Sequence, residues 1–467
     1  MADSPGHDTP ESRSGTFEAL RIRDFRLLWT GHVSHSLALW MEQISVPLLV
    51  LQLTGSGAHL GGVLAVRTVP QLLFGLVAGV ISDWFDRRMI MLVDKVLIVC
   101  LYSAFAALVV LGRVELWHLY GLAFLRGTLM AFDQPARQSV IPMVVPNELL
   151  TSAVALMTAT TNIMRMVGAS LGGLTVALVG MSGAFVSVAV IYLGAVTATY
   201  LLRVPHEAGQ AKRGMAAMGA GLVEGARFSF AHPGIRGVLL LCFVYFTFGM
   251  SYMQVFAPLF ALRVLDIGDA GFGFLLSTSG FGALLGALFI ASRPPKRLGF
   301  ALPLIVSAFG AMLIVFALSA SLPGMYGRGW LIAPFVAIAF AGMMQTGFFS
   351  LSNAALLHLA PPMLRGRVIS LVSLDRAMIT IGAAAAGVLA EVVGVQVAQI
   401  GYGAVCVAGG LAIFFLARGF RATVTTGRRT YATLDPELLP PEALPTDEEP
   451  RPTAQSTPAD APASGRR

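Results

Sequence analysis

At 467 residues the chain could form two or three soluble domains, yet 56% of it is hydrophobic and only 12% charged, roughly half the charge of an ordinary globular protein. So little charge cannot cover a water-facing surface, which excludes soluble enzymes, nucleic-acid binders and disordered scaffolds as whole-chain readings. A mean hydropathy of +0.74 instead marks a polytopic, all-α membrane protein. Three scattered cysteines, Cys100, Cys242 and Cys406, form neither a disulfide framework nor a metal site, and no cofactor is expected.

In chain order, a polar arm over 1–26 comes first; it lacks an apolar h-region, so no cleavable signal peptide is expected before the first span. Apolar runs able to cross a ~30 Å hydrocarbon layer then predict six spans, at 28–52, 59–82, 89–111, 116–140, 150–179 and 182–202. A cytoplasmic middle loop covers 203–236, with a surface helix predicted over 215–231. Six further spans follow, at 237–262, 271–292, 301–321, 330–357, 367–392 and 396–417. The bundles so defined are 27–202 and 237–418, and a disordered Pro-rich tail occupies 419–467.

The basic residues orient these spans. With both termini cytoplasmic, 24 of the 32 Lys and Arg fall on the cytoplasmic side, among them Arg21, Arg23 and Arg26. Arg113, Arg263 and Arg328 fall outside, and the opposite topology would violate the positive-inside rule. The net charge of +7 is therefore an orientation signal for an inner or plasma membrane and not a nucleic-acid footprint. An internal echo supports two halves: Gly168, Gly173 and Gly180 recur 214 residues later as Gly382, Gly387 and Gly394. Parallel repeats about an axis normal to the membrane suit alternating access around a central site.

Several motifs carry chemistry. The turn after the second span reads Gly79-Val-Ile-Ser-Asp83-Trp-Phe-Asp86-Arg87-Arg88. Asp83 can sit at the positive end of a neighbouring helix with Arg87 holding it, although an ordinary basic turn explains the same residues. The pair Asp83 and Asp86 beside two arginines is a poor magnesium site. In the fourth span, Leu122-Ala-Phe-Leu125-Arg126-Gly127 places an arginine ~15 Å deep, where it needs a partner or a wet cavity. Asp133 and Arg137 are spaced for a structural ion pair. The fifth span holds Arg165-Met-Val-Gly168-Ala169-Ser-Leu-Gly172-Gly173, whose glycines permit tight packing or a kink.

Together with Phe25-Arg26-Leu27-Leu28-Trp29, Leu53-Thr54-Gly55-Ser56 and the run from Ala131 to Ser139, these motifs resemble the major facilitator superfamily. The likeness is to its twelve-span exporter branch, similar to the enterobactin exporter and the macrolide efflux permeases, and covers roughly residues 20–420. The resemblance implies twelve helices in two pseudo-symmetric six-helix bundles. It also implies a gating loop at Gly79, Asp83, Arg87 and Arg88, a proton-transfer role for Arg126, and an antiporter-like motif at Gly168, Gly172 and Gly173. The chain departs from the family pattern at Asp86, where a second glycine is usual, and at Ala169, which replaces a proline.

The remaining ionisable groups inside spans are Glu42, with His35 two turns below it, Arg67, the adjacent Asp375 and Arg376, and Glu391. Glu42, Arg126, Asp375, Arg165 and Arg67 are the candidates for proton coupling or substrate contact, Glu42 foremost. Tyr245, Phe248 and Tyr252 of the seventh span could wall a cavity, or pack toward lipid. The chain has no G-x-x-x-x-G-K-[ST] run, so energy should come from an ion or substrate gradient. The expectation is a secondary transporter, not an enzyme. It would be a monomeric, proton-coupled exporter of amphiphilic small molecules such as drugs, siderophores or secondary metabolites. Uptake or lipid flipping on the same fold is the alternative; a membrane sensor or an intramembrane transferase is more remote.

Overall fold

The computed structural model describes residues 17–204, 226–293, 295, 297–319, 332–360, 368, 375–417 and 420. A 3-10 turn, Glu18–Arg21, leads into α1 (Arg23–Thr54), α2 (Gly57–Trp84), α3 (Arg87–Val110), α4 (Leu116–Val144) and α5 (Asn147–Leu201). After the undescribed 205–225 come α6 (Pro233–Val264), α7 (Gly268–Ser292), α8 (Leu298–Ser319), α9 (Ile332–Leu359), α10 (Asp375–Val392) and α11 (Val395–Leu416). Eight helical stretches among the described residues are long and apolar enough to cross a membrane. Large apolar side chains point outward, including Leu97, Leu178, Leu288 and Val392, while Glu42, Asp94, Lys95, Arg126 and Asp133 are buried. That inversion of the soluble pattern suits a protein whose outer solvent is hydrocarbon.

Local chemistry sets the helix ends. The predicted spans 150–179 and 182–202 are joined without a loop: α5 passes through Gly180, whose φ of 73° breaks the helix where only glycine is unstrained. Asp86 is the N-cap of α3 and accepts from the Arg88 amide at 2.8 Å, which explains a carboxylate at a position where glycine is usual. Three predicted boundaries shift. The N-terminal arm ends earlier, because α1 already begins at Arg23 with Asp24 in its favourable first turn. The middle loop ends earlier too, because α6 already starts at Pro233, capped by the His232 imidazole; residues 226–231, within the expected surface helix, are helical. Of the surface helix expected over 215–231, the part before 226 lies outside the described residues. Finally, Phe420, expected in the tail, is buried on Gly237 because a phenyl ring gains by leaving water.

Helices α1 to α5 pack on one another, as do α6 to α11, and the two groups meet through α5 against α7 and α2 against α10. Among the described residues, close backbone approaches between the groups, Gly57 with Gly387 and Gly173 with Gly273, lie at the end of the bundle away from Arg23 and Leu416. Ideal β-carbons on Gly173 and Gly273 would each stand 2.9 Å from the other residue's Cα, so backbones touch there. Across the bundle, Glu391 of α10 accepts hydrogen bonds from the Ser56 hydroxyl and, at 3.2 Å, the Ala58 amide at the start of α2. A Gly173→Val exchange should wedge α5 from α7. We expect spin-label distances between the two helix groups at this end to lengthen by about 2 Å or more, the width of a side chain inserted into a native-density contact. Unchanged distances would refute that reading of the contact.

Candidate functional site

Gly127 determines the centre of the first helix group. A side chain there would collide with the Arg67 carbonyl, so α4 lies directly on α2 and brings Arg126 and Arg67 to the same carboxylate. Glu42 takes Arg126 Nε on Oε2 at 3.0 Å and Arg67 Nη1 on Oε1 at 3.3 Å. Arg126 also donates to the Tyr192 hydroxyl at 2.7 Å, and Tyr192 is stacked on Tyr102 and edge-on to His35. Arg67 reaches Gln43 Oε1 at 3.3 Å and the Met130 sulfur at 3.2 Å. Beside it opens a cavity of about 170 Å³ between the two helix groups, lined by Gln43, Gln71, Met130, Gln254 and Thr380.

A second network lies nearer the terminal end. Asp133 is 2.7 Å from Lys95 of α3 and 3.2 Å from Arg137 one turn along α4, and Arg137 reaches His32 Nδ1 at 2.9 Å. Asp94, next to Lys95, is buried, and neither of its carboxylate oxygens has a hydrogen-bond partner. The charges acting on it are Asp133, Lys95, Arg126 and Arg137. A carboxylate without a partner is costly to bury as an ion but not as a neutral acid.

The other predicted residues disperse. Arg165 lies over the Trp40 ring at 5.8 Å and reaches Gln345 Oε1 at 3.4 Å, tying α5 to α1 and α9. Gly168 and Gly172 seat α5 on α1 at Leu37, Trp40 and Met41, while Gly173 faces α7. Asp375 opens α10 within electrostatic reach of Cys242; the Arg376 side chain lies outside the described residues. Of the gating loop, the surroundings of Gly79 and the Asp83 side chain are likewise undescribed. Arg87 meets the Met143 sulfur at 2.9 Å, and Arg88 donates to the Thr199 carbonyl at 3.4 Å and lies over Tyr200, fastening α3 to the end of α5. The expected aromatic wall is corrected. Tyr245 is fully buried against Phe309 and Phe348, and Phe248 faces Tyr402. Three π-helical turns, Tyr245–Gly249, Tyr252–Phe256 and Phe260–Val264, shift the faces of α6 from those of a regular α-helix. Tyr252, buried as well, hydrogen-bonds Ser279 at 2.7 Å.

Sequence reasoning did not single out Asp94, nor Lys95 as the partner of Asp133. The available signal was an acid and a base side by side seven and eight residues into an apolar helix.

Comparison with known proteins adds three findings. The family model described as transmembrane secretion effector matches residues 14–428. The multidrug efflux pump Tap of Mycolicibacterium fortuitum is 29% identical over 76% of this chain and 86% of its own, and macrolide efflux protein A of Streptococcus pyogenes is 23% identical over 80% and 90%. A crystal structure of a POT family transporter in complex with a thioalcohol-conjugated peptide superposes with a TM-score of 0.68 at 12% identity, over 85% of this chain and 96% of that one.

Proposed function

Because the chain belongs to the transmembrane secretion effector family of major facilitator transporters, we propose that it is a proton-coupled exporter of amphiphilic small molecules working by alternating access. The observation that carries this reading is the buried charge network of α1 to α4. Arg67, Arg126, Lys95 and Arg137 share two acids, Glu42 and Asp133, while a third, Asp94, is left unpartnered. Charge held inside an apolar bundle marks a proton or substrate path by default. Its asymmetry divides the labour: Glu42 and Asp133 stay ionised on their cations, and Asp94 is the group free to take and release a proton.

The same reading makes twelve crossings by counting both sides of Gly180 together with the charge-bearing α2, α4 and α10. Its bundles span 27–202 and 237–418, joined by a cytoplasmic loop, with both termini in the cytoplasm and the monomer as the working unit in the cell membrane. The contacts Ser56 to Glu391 and Gly173 to Gly273 act as the outer gate. Relatives named for multidrug and macrolide efflux support the export direction.

Inside-out vesicles test it directly. With an imposed inward-acid gradient, vesicles containing the protein should accumulate at least one amphiphile of a panel of ethidium, erythromycin and N-dansyl-leucine above empty controls, and a protonophore should abolish the accumulation. Transport indifferent to the gradient overturns the coupling, and accumulation only in right-side-out vesicles overturns the direction.

A further inference from the structure

Arg165 differs from every other described cation inside the spans. Arg67 and Arg126 face Glu42, and Lys95 and Arg137 face Asp133. Arg165 has no carboxylate partner among the described residues. The groups that act on it electrostatically are the Tyr252 and Tyr245 hydroxyls, and its single hydrogen bond, to the neutral amide of Gln345, is 3.4 Å long. Its Nε and Nη2 are sealed from solvent with nothing to donate to. Two further buried polar atoms nearby are also unsatisfied, Trp40 Nε1 and the Tyr245 hydroxyl.

All of these can donate, and none is a carboxylate. Gln345 cannot supply the missing acceptor, because its oxygen already serves Arg165 and lies 3.5 Å from the Tyr252 hydroxyl, while its nitrogen is turned to the Met250 sulfur at 3.2 Å. An uncompensated guanidinium among unsatisfied donors is expensive to bury, and an anionic oxygen group brought from outside would relieve all of them together. A guanidinium fork fits two oxygens of one carboxylate better than any single acceptor. The Trp40 ring lies 5.8 Å from the guanidinium carbon and suits an apolar or aromatic body. The place is also right for a cargo. Arg165 comes from α5, Trp40 from α1, Gln345 from α9 and the two tyrosines from α6, so the site straddles the junction of the two helix groups, and the next residue, Met166, packs on Gly280 of α7.

We infer that Arg165 anchors a substrate subsite between the two halves, and that its ligands are amphiphiles carrying a carboxylate or similar anionic oxygen group. This rests on the transport reading above and narrows its substrate class: Arg165 holds the anion, the unpartnered Trp40 Nε1 and Tyr245 hydroxyl add donors, and the Trp40 ring takes the apolar body.

A matched pair of probes decides it. N-dansyl-leucine and its carboxamide share one body and differ in the anionic oxygen. Binding is read from dansyl fluorescence on the full-length protein in nanodiscs, with empty nanodiscs as blank. The wild type should bind the acid at least about tenfold more tightly than the amide, as a charge-assisted fork predicts. Arg165→Lys should narrow the ratio, and Arg165→Gln should bring it close to one by weakening the acid alone. Equal binding of acid and amide by the wild type overturns the inference, and so does binding of neither by protein with an intact thermal transition. A tenfold preference that survives in a folded Arg165→Gln protein overturns it too. If that variant does not fold, the wild-type ratio and the lysine variant decide alone. Proton-driven movement in proteoliposomes is scored separately. Acid preference without gradient-driven transport leaves the anion subsite standing and refutes the exporter reading; transport without acid preference does the reverse.

Discussion

Glu42→Gln should be among the most destabilising single substitutions in the protein, costing ~3–5 kcal/mol of folding stability, because it strands the buried Arg126 guanidinium and takes the carboxylate from Arg67 as well. Glu42 and Arg126 are almost wholly enclosed, so water cannot replace the carboxylate at Arg126, whereas Arg67, 13% exposed beside the cavity, keeps Gln43. The Arg126→Gln variant should be nearly as damaging, since it leaves Glu42 with the longer contact to Arg67 and removes the donor to Tyr192. Removing charge from both partners, Glu42→Gln with Arg126→Gln, should recover part of the loss, and thermal unfolding of the purified proteins measures all three. A Glu42→Gln protein that melts like the wild type would show the pair to be structurally dispensable. Glu42 would then return as a proton carrier in place of Asp94.

Asp94→Asn should behave in the opposite way. The side chain is 3% exposed and makes no hydrogen bond, so a neutral amide of the same shape removes a charge burden without breaking a partner. We expect its melting temperature to equal or exceed that of the wild type. Transport should nonetheless cease to respond to an imposed proton gradient. One pH unit is worth about 1.4 kcal/mol per proton, or roughly tenfold accumulation, and that gain should vanish in the variant while Asp94→Glu keeps part of it. Gradient-driven accumulation by Asp94→Asn within about twofold of wild type, well inside that tenfold range, would refute the assignment.

The contrast between these two acids shows how far sequence could be read. Glu42 stood out because it is an acid in an otherwise apolar first span, and its depth could be counted in helical rises. Its partners could not be. Arg126 lies 84 residues from Glu42, and Arg67 lies 24 from the adjacent Gln43; they converge because Gly127 admits the Arg67 backbone. Asp94 stands beside Lys95 as Asp375 stands beside Arg376, and adjacency in sequence does not say which acid keeps its base. The helix rotates successive side chains about 100° apart, so Lys95 turns to Asp133 and leaves Asp94 alone. The same rotation, altered by π turns, moved Tyr245 and Phe248 from an expected cavity wall into aromatic packing.

By itself the sequence determined the solvent and the class, and its motifs pointed to the family: too little charge for water, and apolar runs of bilayer length. Each of these depends on composition or on spacing along one helix, which folding does not change. Only the tertiary structure decided which cations own an acid, which acid stands free, and that Arg165 faces donors across the junction of the two halves. Those are contacts between helices far apart in the chain, and Coulomb energy in a low-dielectric interior depends on distances of a few ångström that no linear spacing encodes.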